Sequence, residues 1–281
     1  MTSINFHPFL LDTWHSIPGI LNSAFISAFL SSLAGAGLGV LGAQKLAERA
    51  TRRKELLDAL RQANALTVLV ATITNQAMRI KKQHIEPLSK SYFDERERAE
   101  SINKDYVNGN NNISIEFTLD IFHIPPLSTK TDTLNNLAHS TPLLPGKALA
   151  LIFMVEQALI EMSHSIKTRS EQIELFKSQD MTSMTSIQNY FGLIRRDGCI
   201  NLLYHDSIVN VRDYTDDVIF FAVELAEELQ AHANNIHKKL LKLTKDAGKV
   251  NTVDYSTPRQ SGLIPSKKNY EGWLSEFKNH D

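Results

Sequence analysis

Apolar and small side chains fill residues 13–44, and no Asp, Glu, Lys or Arg interrupts them. An α-helix rises about 1.5 Å per residue, so a hydrocarbon core about 30 Å thick needs roughly 20 residues. Ile17–Ala43 is longer than this and allows some tilt. The pattern therefore predicts one transmembrane helix over 17–43, preceded by a short extracytoplasmic N-terminus over 1–16.

Within this stretch a small residue recurs at every fourth position, which places a stripe of small side chains along the helix. Its members are Gly19, Ser23, Ser27, Ser31, Gly35, Gly39 and Ala43. Lipid removes the hydrophobic drive between helices, so spans associate by the close packing that small residues permit. We expect the stripe to form helix–helix contacts in a homo-oligomer. The alternatives are a lone anchor that is rich in small residues and a pore lined by the serines.

Basic residues follow the stretch on its C-terminal side, whereas residues 1–16 contain no Lys or Arg. The basic residues are Lys45, Arg49, Arg52, Arg53 and Lys54. Because Lys and Arg concentrate on the cytoplasmic side of spans, we expect the N-terminus outside the cell membrane and the C-terminal domain in the cytoplasm. These five side chains would also meet anionic headgroups, so membrane lipid is an expected partner. The alternative is a cleaved signal peptide, with Ala34-Gly35-Ala36 as the cleavage site, but no basic n-region precedes it.

Apolar residues then continue at alternating spacings of three and four, which is the period of a helical or coiled-coil seam. The seam comprises Leu56, Ala59, Ala63, Leu66, Val70, Ile73, Ala77 and Ile80. Nothing before Pro87 breaks a helix, so the span is predicted to continue into a cytoplasmic stalk that ends there. Gln62–Met78 is also free of charge, but its Asn, Thr and Gln residues favour a buried helix over a second span.

Ser91–Val107 is predicted to be a charged surface helix with Ser91 as its cap, which completes the stalk and surface helices over 44–107. Alternating apolar and polar residues from Ile113 to Ile121 predict one short β-strand, which would pair with another segment or another subunit. This strand and a Pro-rich connection occupy 108–146. Two long helical patterns then predict a bundle over 147–247.

After Gly248 the helical period disappears, so residues 248–281 are predicted to be a flexible tail. Tyr270, Trp273 and Phe277 nevertheless place aromatic rings at helical spacing, as a segment that docks on a cytoplasmic protein partner would. The alternative is that these rings pack back on the chain's own bundle. The predicted fold class is thus mainly α: a single N-terminal transmembrane helix that continues into a long-helix cytoplasmic bundle with one short β element.

The composition argues against several kinds of chemistry. A net charge of −1 gives no general attraction to nucleic acid. The single cysteine, Cys199, excludes an internal disulfide and any multi-thiolate zinc site, and we expect it to be a small core residue. No phosphate loop, dinucleotide fingerprint or nucleophile elbow is present in the sequence. We therefore expect no cofactor and no metal.

Three local patterns carry titratable groups. Arg79 and His84 form an Arg-x4-His pattern, and these six residues resemble the motif of helical ribonucleases of the HEPN type, in which Arg and His act on the scissile phosphate. Glu161 and His164 have the Glu-x-x-His spacing of a carboxylate-bridged metal helix, but the second such pair is missing. Asp206, Asp213 and Asp217 share one helix face, where they would form either a cation site or a solvated surface.

These observations favour a membrane-anchored assembly or signalling protein that self-associates through its transmembrane helix and its cytoplasmic seams. An enzyme is less favoured, and Arg79 and His84 are the only catalytic candidates. One alternative is an oligomerising, pore-forming effector of a bacterial toxin or phage-defence system. The other is a membrane-tethered, HEPN-like nuclease.

Overall fold

The computed structural model describes residues 24–110, 116–127, 131–141 and 144–277. All regular elements among these residues are helical, so the predicted mainly α class is confirmed. They are α1 (Ala24–Ile80), a π-helical turn (Lys81–Ile85), α2 (Glu86–Val107), α3 (Thr131–Ser140), α4 (Gly146–Lys177), α5 (Met184–Phe191), α6 (Leu203–Leu241), α7 (Ser256–Gln260), a 3₁₀ turn (Lys267–Tyr270) and α8 (Glu271–Ser275). The chain divides into two compact units between Glu55 and Leu56.

The first unit contains the beginning of α1. The predicted transmembrane segment is helical from Ala24 onward, and its earlier part lies outside the described residues. Large apolar side chains on this part of α1 are exposed: Leu33 by 55%, Val40 by 66%, Leu41 by 57% and Leu46 by 70%. Such exposure is unusual for neighbouring aliphatic residues in water, because a contiguous apolar surface normally marks a contact with protein or lipid.

The second unit is a helical bundle that the later part of α1 enters through its seam. All predicted seam residues from Ala59 to Ile80 are buried, and Leu56 packs at the edge. Ala59 and Ala63 lie in one apolar cluster with Ala233, Ile236 and other residues near the end of α6. The seam is therefore confirmed as a helix face, and within this chain it packs on the chain's own bundle.

The helical path continues past Pro87 through a π-helical turn, although the sequence predicts that the helix ends there. Proline lacks an N–H donor and its ring collides with the carbonyl four residues earlier, and a wider π turn relieves that collision. The turn also inserts one residue between Ile80 and Ile85, so Ile85 and Leu88 stay on the buried side. As a result α2 begins at Glu86, and Ser91 lies inside it rather than capping it.

The antiparallel pair α4 and α6 forms the centre of the bundle. Lys147 at the start of α4 lies 3.3 Å from Glu228, whereas Arg169 near its other end stacks over Tyr204 near the start of α6. Both helices bury a row of apolar residues at helical spacing, including Val155 and Leu159 of α4. Leu243 and Ala247 continue this spacing beyond Leu241, where α6 ends.

Among the described residues, two helical stretches are long and apolar enough to cross a membrane: Gly39–Val107 and Gly146–Lys177. The second stretch is α4, which contributes many buried residues to the bundle core. These are Ala148, Leu151, Ile152, Val155, Ala158, Leu159, Met162, Ser165, Ile166, Arg169, Ile173 and Phe176. We therefore describe α4 as the core helix of the second unit.

The predicted strand is not found in the described residues. Residues 116–127 have an irregular backbone, and residues 113–115 lie outside the described part of the chain. Side chains from the bundle occupy the backbone groups that a neighbouring strand would use. Arg169 donates to the carbonyls of Phe122 at 2.6 Å and Asp120 at 3.0 Å, and Tyr204 also donates to the Asp120 carbonyl. The Asp120 N–H donates to the Tyr190 hydroxyl.

Replacing Arg169 with Met should destabilise the bundle, because the carbonyls of Asp120 and Phe122 would lose a charged donor that is itself buried. Arg169 is 1% exposed. We expect a loss of about 2–4 kcal/mol, or a fall in Tm of roughly 8 °C. The measurement is thermal unfolding of the full-length protein in mild detergent. The control is Lys167→Met on the same helix, since that side chain is 75% exposed and should change stability by less than about 0.5 kcal/mol. Equal effects of the two changes would contradict this role for Arg169.

Candidate functional site

One assembly of aromatic and charged side chains in the second unit lies where the C-terminal segment crosses α6. We call residues 253–277 the C-terminal strap. The Tyr270 ring stacks on Phe220 with centroids 3.7 Å apart and planes 5° apart. Its hydroxyl donates to Asp217 at 2.8 Å. Trp273 meets the edge of Phe221 at 5.2 Å. The strap therefore supplies a tyrosine and a tryptophan to an aromatic face of α6.

Ion pairs accompany these aromatic contacts. Lys267 Nζ lies 2.6 Å from Oε1 of Glu224, a carboxylate that is 6% exposed. Arg259 Nη2 donates to Glu227 Oε1 at 2.7 Å. Burial removes the water that stabilises a carboxylate, and this desolvation costs more free energy than a surface ion pair provides. A buried carboxylate therefore needs a cationic partner. Lys267 therefore compensates the buried charge of Glu224, and the strap is matched to α6 in charge as well as shape.

The π turn contributes a third side chain to this assembly. Lys81 is 8% exposed, and its Nζ lies 2.6 Å from Asp216 on α6. The same ammonium donates to the Leu263 carbonyl of the strap at 3.1 Å. One buried lysine thus joins the π turn, α6 and the strap.

Burial changes the pKa values of both members of the Tyr270–Asp217 pair. Burial raises the pKa of Asp217 above the ordinary value of aspartate. The hydrogen bond from Tyr270 lowers this pKa in part, and the nearby charges of Asp213 and Asp216 raise it. The pKa of Tyr270 is also raised, first by burial and then by its hydrogen bond to Asp217. Tyr270 therefore stays neutral and acts as the donor. The hydrogen bond therefore joins a neutral phenol donor on the strap to a carboxylate oxygen on α6.

The strap packs on α6, whereas the sequence predicts a flexible tail over residues 248–281. The sequence leaves open whether Tyr270, Trp273 and Phe277 dock on a partner or on the chain's own bundle, and the structure describes the second arrangement. Phe277 stacks beside Trp273, with centroids 4.7 Å apart. Docking on another protein stays a prediction. The signal for the packed strap is the pairing of a basic, aromatic segment with an acidic, aromatic stretch of α6.

A second cluster surrounds the start of α6. Tyr92 donates from its hydroxyl to the Tyr190 carbonyl at 3.2 Å, and His205 Nδ1 lies 3.1 Å from the same hydroxyl. The Tyr92 hydroxyl has one proton, which it donates to the Tyr190 carbonyl. Its oxygen can therefore accept a hydrogen bond from the Nδ1–H group of a neutral His205. Burial lowers the pKa of His205, and the positive charge of Arg96 lowers it further. The cluster thus favours an uncharged imidazole.

The structure describes part of the predicted membrane contact surface. Gly19 and Ser23 lie outside the described residues, and Ser27 and Gly35 lie on helical backbone. Ser31 and Ala43 are exposed, and a side chain added at Gly39 would meet nothing within 4 Å. The five predicted membrane-surface residues are all exposed on α1: Lys45, Arg49, Arg52, Arg53 and Lys54. This exposure is compatible with helix and headgroup contacts, which stay predictions.

The remaining candidates lie in separate places. Arg79 is exposed at the end of α1, and His84 is half-buried in the π turn. Their catalytic role stays a prediction. The described residues contain no group of three or more His, Cys, Asp or Glu side chains that could hold a metal ion. Cys199 is exposed, not in the core as expected, because it follows the turn at Asp197–Gly198.

One polar groove between α4 and α6 unites two of the sequence patterns. His164 and Thr168 line it from α4, and Asp206 and Asn210 line it from α6. Asp217 belongs instead to the strap contact, through its hydrogen bond with Tyr270. The predicted acidic face is therefore divided between two environments.

In comparisons with known proteins, no family model, no curated protein and no solved structure matches this chain. The geometry of the described residues is therefore the basis for a functional proposal.

Replacing His205 with Gln should weaken the loss of stability in acid. A folded-state pKa below the ordinary value of about 6.5 means that the unfolded chain binds the proton more readily. The corresponding stability is present above a pH of about 6.5 and is lost as the pH falls through the folded pKa. We expect the fall in Tm between about pH 7.5 and 5.5 to be smaller in His205→Gln than in the wild type.

The measurement is thermal unfolding of the full-length protein at the two pH values. Part of the acid effect should persist in the variant, because burial also lowers the pKa of His232. His139→Gln is the control, since His139 is exposed on α3. An undiminished acid effect in His205→Gln would contradict the assignment of this effect to His205.

Proposed function

We propose that the protein is a membrane-anchored helical assembly and signalling protein that self-associates through the first part of α1. The observation that supports this proposal is the exposed, uncharged surface of α1 at residues 31–33 and 39–44, which includes the apolar side chains of Leu33, Val40 and Leu41. Burying a leucine or valine side chain is worth about 1.5–3 kcal/mol relative to leaving it in water. Leu33, Val40 and Leu41 therefore favour lipid or another helix as their surroundings.

The small residues on the same helix favour contact with a second span. The backbone of a glycine can be approached closely, and Gly39 and Gly42 have open space around them. In lipid, helix pairs depend on such close approach because the hydrophobic effect no longer drives them together. Gly35 and Gly39 would be the contact points, and a second copy of the chain carries the matching stripe.

The proposed topology has one span, with the N-terminus outside and the bundle in the cytoplasm. Two features support it. The exposed basic side chains that follow the span, such as Lys45 and Arg49, are those expected on the cytoplasmic side. The other apolar helix, α4, has its core side chains buried against the bundle, so it has a protein environment already.

The proposed signalling role uses the continuity of α1. This helix extends without interruption from Ala24 to Ile80. It carries the glycines of the span and also the buried seam of the bundle. Binding of a partner to the bundle would bias the association of spans, provided that both respond to the same two-state element.

Gly35→Leu combined with Gly39→Leu should abolish association, because each leucine would hold neighbouring backbones apart. The measurement is the mass of the full-length protein in mild detergent by sedimentation. We expect an oligomer for the wild type and a mass close to the monomer, 31.6 kDa, for the variant after correction for bound detergent.

Gly37→Leu is the matched control for this experiment. At about 100° per residue, Gly37 lies about 200° around the helix from both Gly35 and Gly39. The same chemical change at Gly37 should leave the oligomer intact. An oligomer of unchanged mass in the double variant would refute association through the stripe and reduce the span to a tether.

A further inference from the structure

The face of α6 that the strap covers cannot be left open to water. Phe220 is 1% exposed and Phe221 is 4% exposed, and both meet strap rings. Glu224, one helical turn further along, is also buried, with Lys267 as its close partner. Removing the strap would expose two phenylalanines and strand a carboxylate without its cation. This face therefore favours a bound basic, aromatic segment over water.

The strap binds as a ligand would, mostly through side chains. Its regular elements are the short helices α7 and α8 and the four-residue 3₁₀ turn. One arginine and one lysine side chain pair with α6, and two rings fill its aromatic face. The contacts depend on the sequence of the strap and not on which copy of the chain supplies it.

The chain provides a suitable hinge before the strap. Asn64 on α1 donates to the Lys249 carbonyl at 2.8 Å and accepts from the Asn251 N–H at 2.9 Å. The backbone is thereby fixed up to Asn251. Beyond it, the Val253 N–H makes a long contact of 3.4 Å to Gln230. A rotation at residues 252–253 would release the strap and leave the connection from α6 in place.

We propose that the strap is exchanged between two copies of the protein, so that the acidic, aromatic face of α6 in one copy binds the strap of the other. Exchange of an identical element keeps every contact of the original fold and adds a link between subunits. Charge complementarity names the occupant, since Lys267, Arg259 and Tyr270 of a second copy match this face. The inference rests on the proposed function, because association of spans brings two copies together.

The test uses two full-length variants with opposite defects. In Glu224→Lys the α6 face repels its own Lys267, and in Lys267→Glu the strap is repelled by its own Glu224. When the two variants share a membrane, exchange places the native Lys267 of the first variant against the native Glu224 of the second. In the reverse exchange, the strap of the second variant binds the α6 face of the first. The substituted side chains at positions 267 and 224 then form an ion pair with the charges reversed. Both ion pairs are thus restored, and only by exchange between copies.

Strap docking is followed by the fluorescence of Trp273 in a Trp14→Phe background, which removes the other tryptophan of the chain. We expect each variant alone to emit at a longer wavelength than the parent, because Trp273 leaves Phe221 for water. Co-reconstitution in detergent or vesicles should return the emission to the parent wavelength. Two different affinity tags report co-purification of the two variants in the same sample.

The two readouts separate the two proposals. Restored emission in the mixture supports exchange. Co-purification with emission that stays at long wavelength overturns exchange but leaves association through the span intact. No co-purification and no restored emission overturn both. Doubling the concentration of either variant alone should restore nothing.

The chain that carries both changes is the folding control, because its own strap and face are again complementary and its emission should match the parent. If the core does not tolerate the Glu224→Lys change, the control will fail. The test then uses Glu227→Arg and Arg259→Glu, whose side chains are 45% and 39% exposed. With this pair, absence of restored emission in the mixture overturns the proposal.

Discussion

Burial of the middle of α6 on all sides is the constraint on which the second unit depends. Every residue from Val218 to Ala226 is buried. A helix that is apolar all round needs neighbours all round, because one packing partner covers only about a third of its circumference. The antiparallel helix α4 supplies one neighbour, and the π turn together with the strap covers other parts of it. The strap, residues 253–277, is thus a part of the core although it follows the other core helices in the sequence.

The same burial decides where charged residues have to lie. Asp216 and Glu224 lie on the surface of α6 that its neighbours cover, and each meets a lysine from a different segment. Pairs of this kind add little net stability, since desolvation offsets most of their attraction. Their consequence is specificity, because a strap shifted along α6 would leave a carboxylate unpaired. Arg169 acts in the same way on residues 120–122, which it fixes through their carbonyls.

Features with a local period could be predicted from the sequence. The seams over 56–80 and in α4 and α6 repeat every three or four residues, and burial of one helix face follows from that period. The strand prediction is not confirmed, because alternation near Ile121 does not reveal that the distant Arg169 bonds the neighbouring carbonyls. The packed strap escapes prediction for a related reason, since Lys267 and Glu224 are distant in sequence. The unbroken apolar run over 218–223 is the visible sign that α6 needs another neighbour.

Lys81 connects the two parts of the proposed function. It follows directly on α1, the helix that carries the small-residue stripe. It forms an ion pair with Asp216 of α6 and donates a hydrogen bond to the Leu263 carbonyl of the strap. It is 8% exposed, and a buried ammonium cannot lose its partners without a large desolvation cost. Release of the strap would therefore remove the Leu263 carbonyl, one of the two partners of Lys81, and favour a different conformation of the π turn. Since the π turn is continuous with the later part of α1, the proposed function would use this one side chain to couple the strap to that helix.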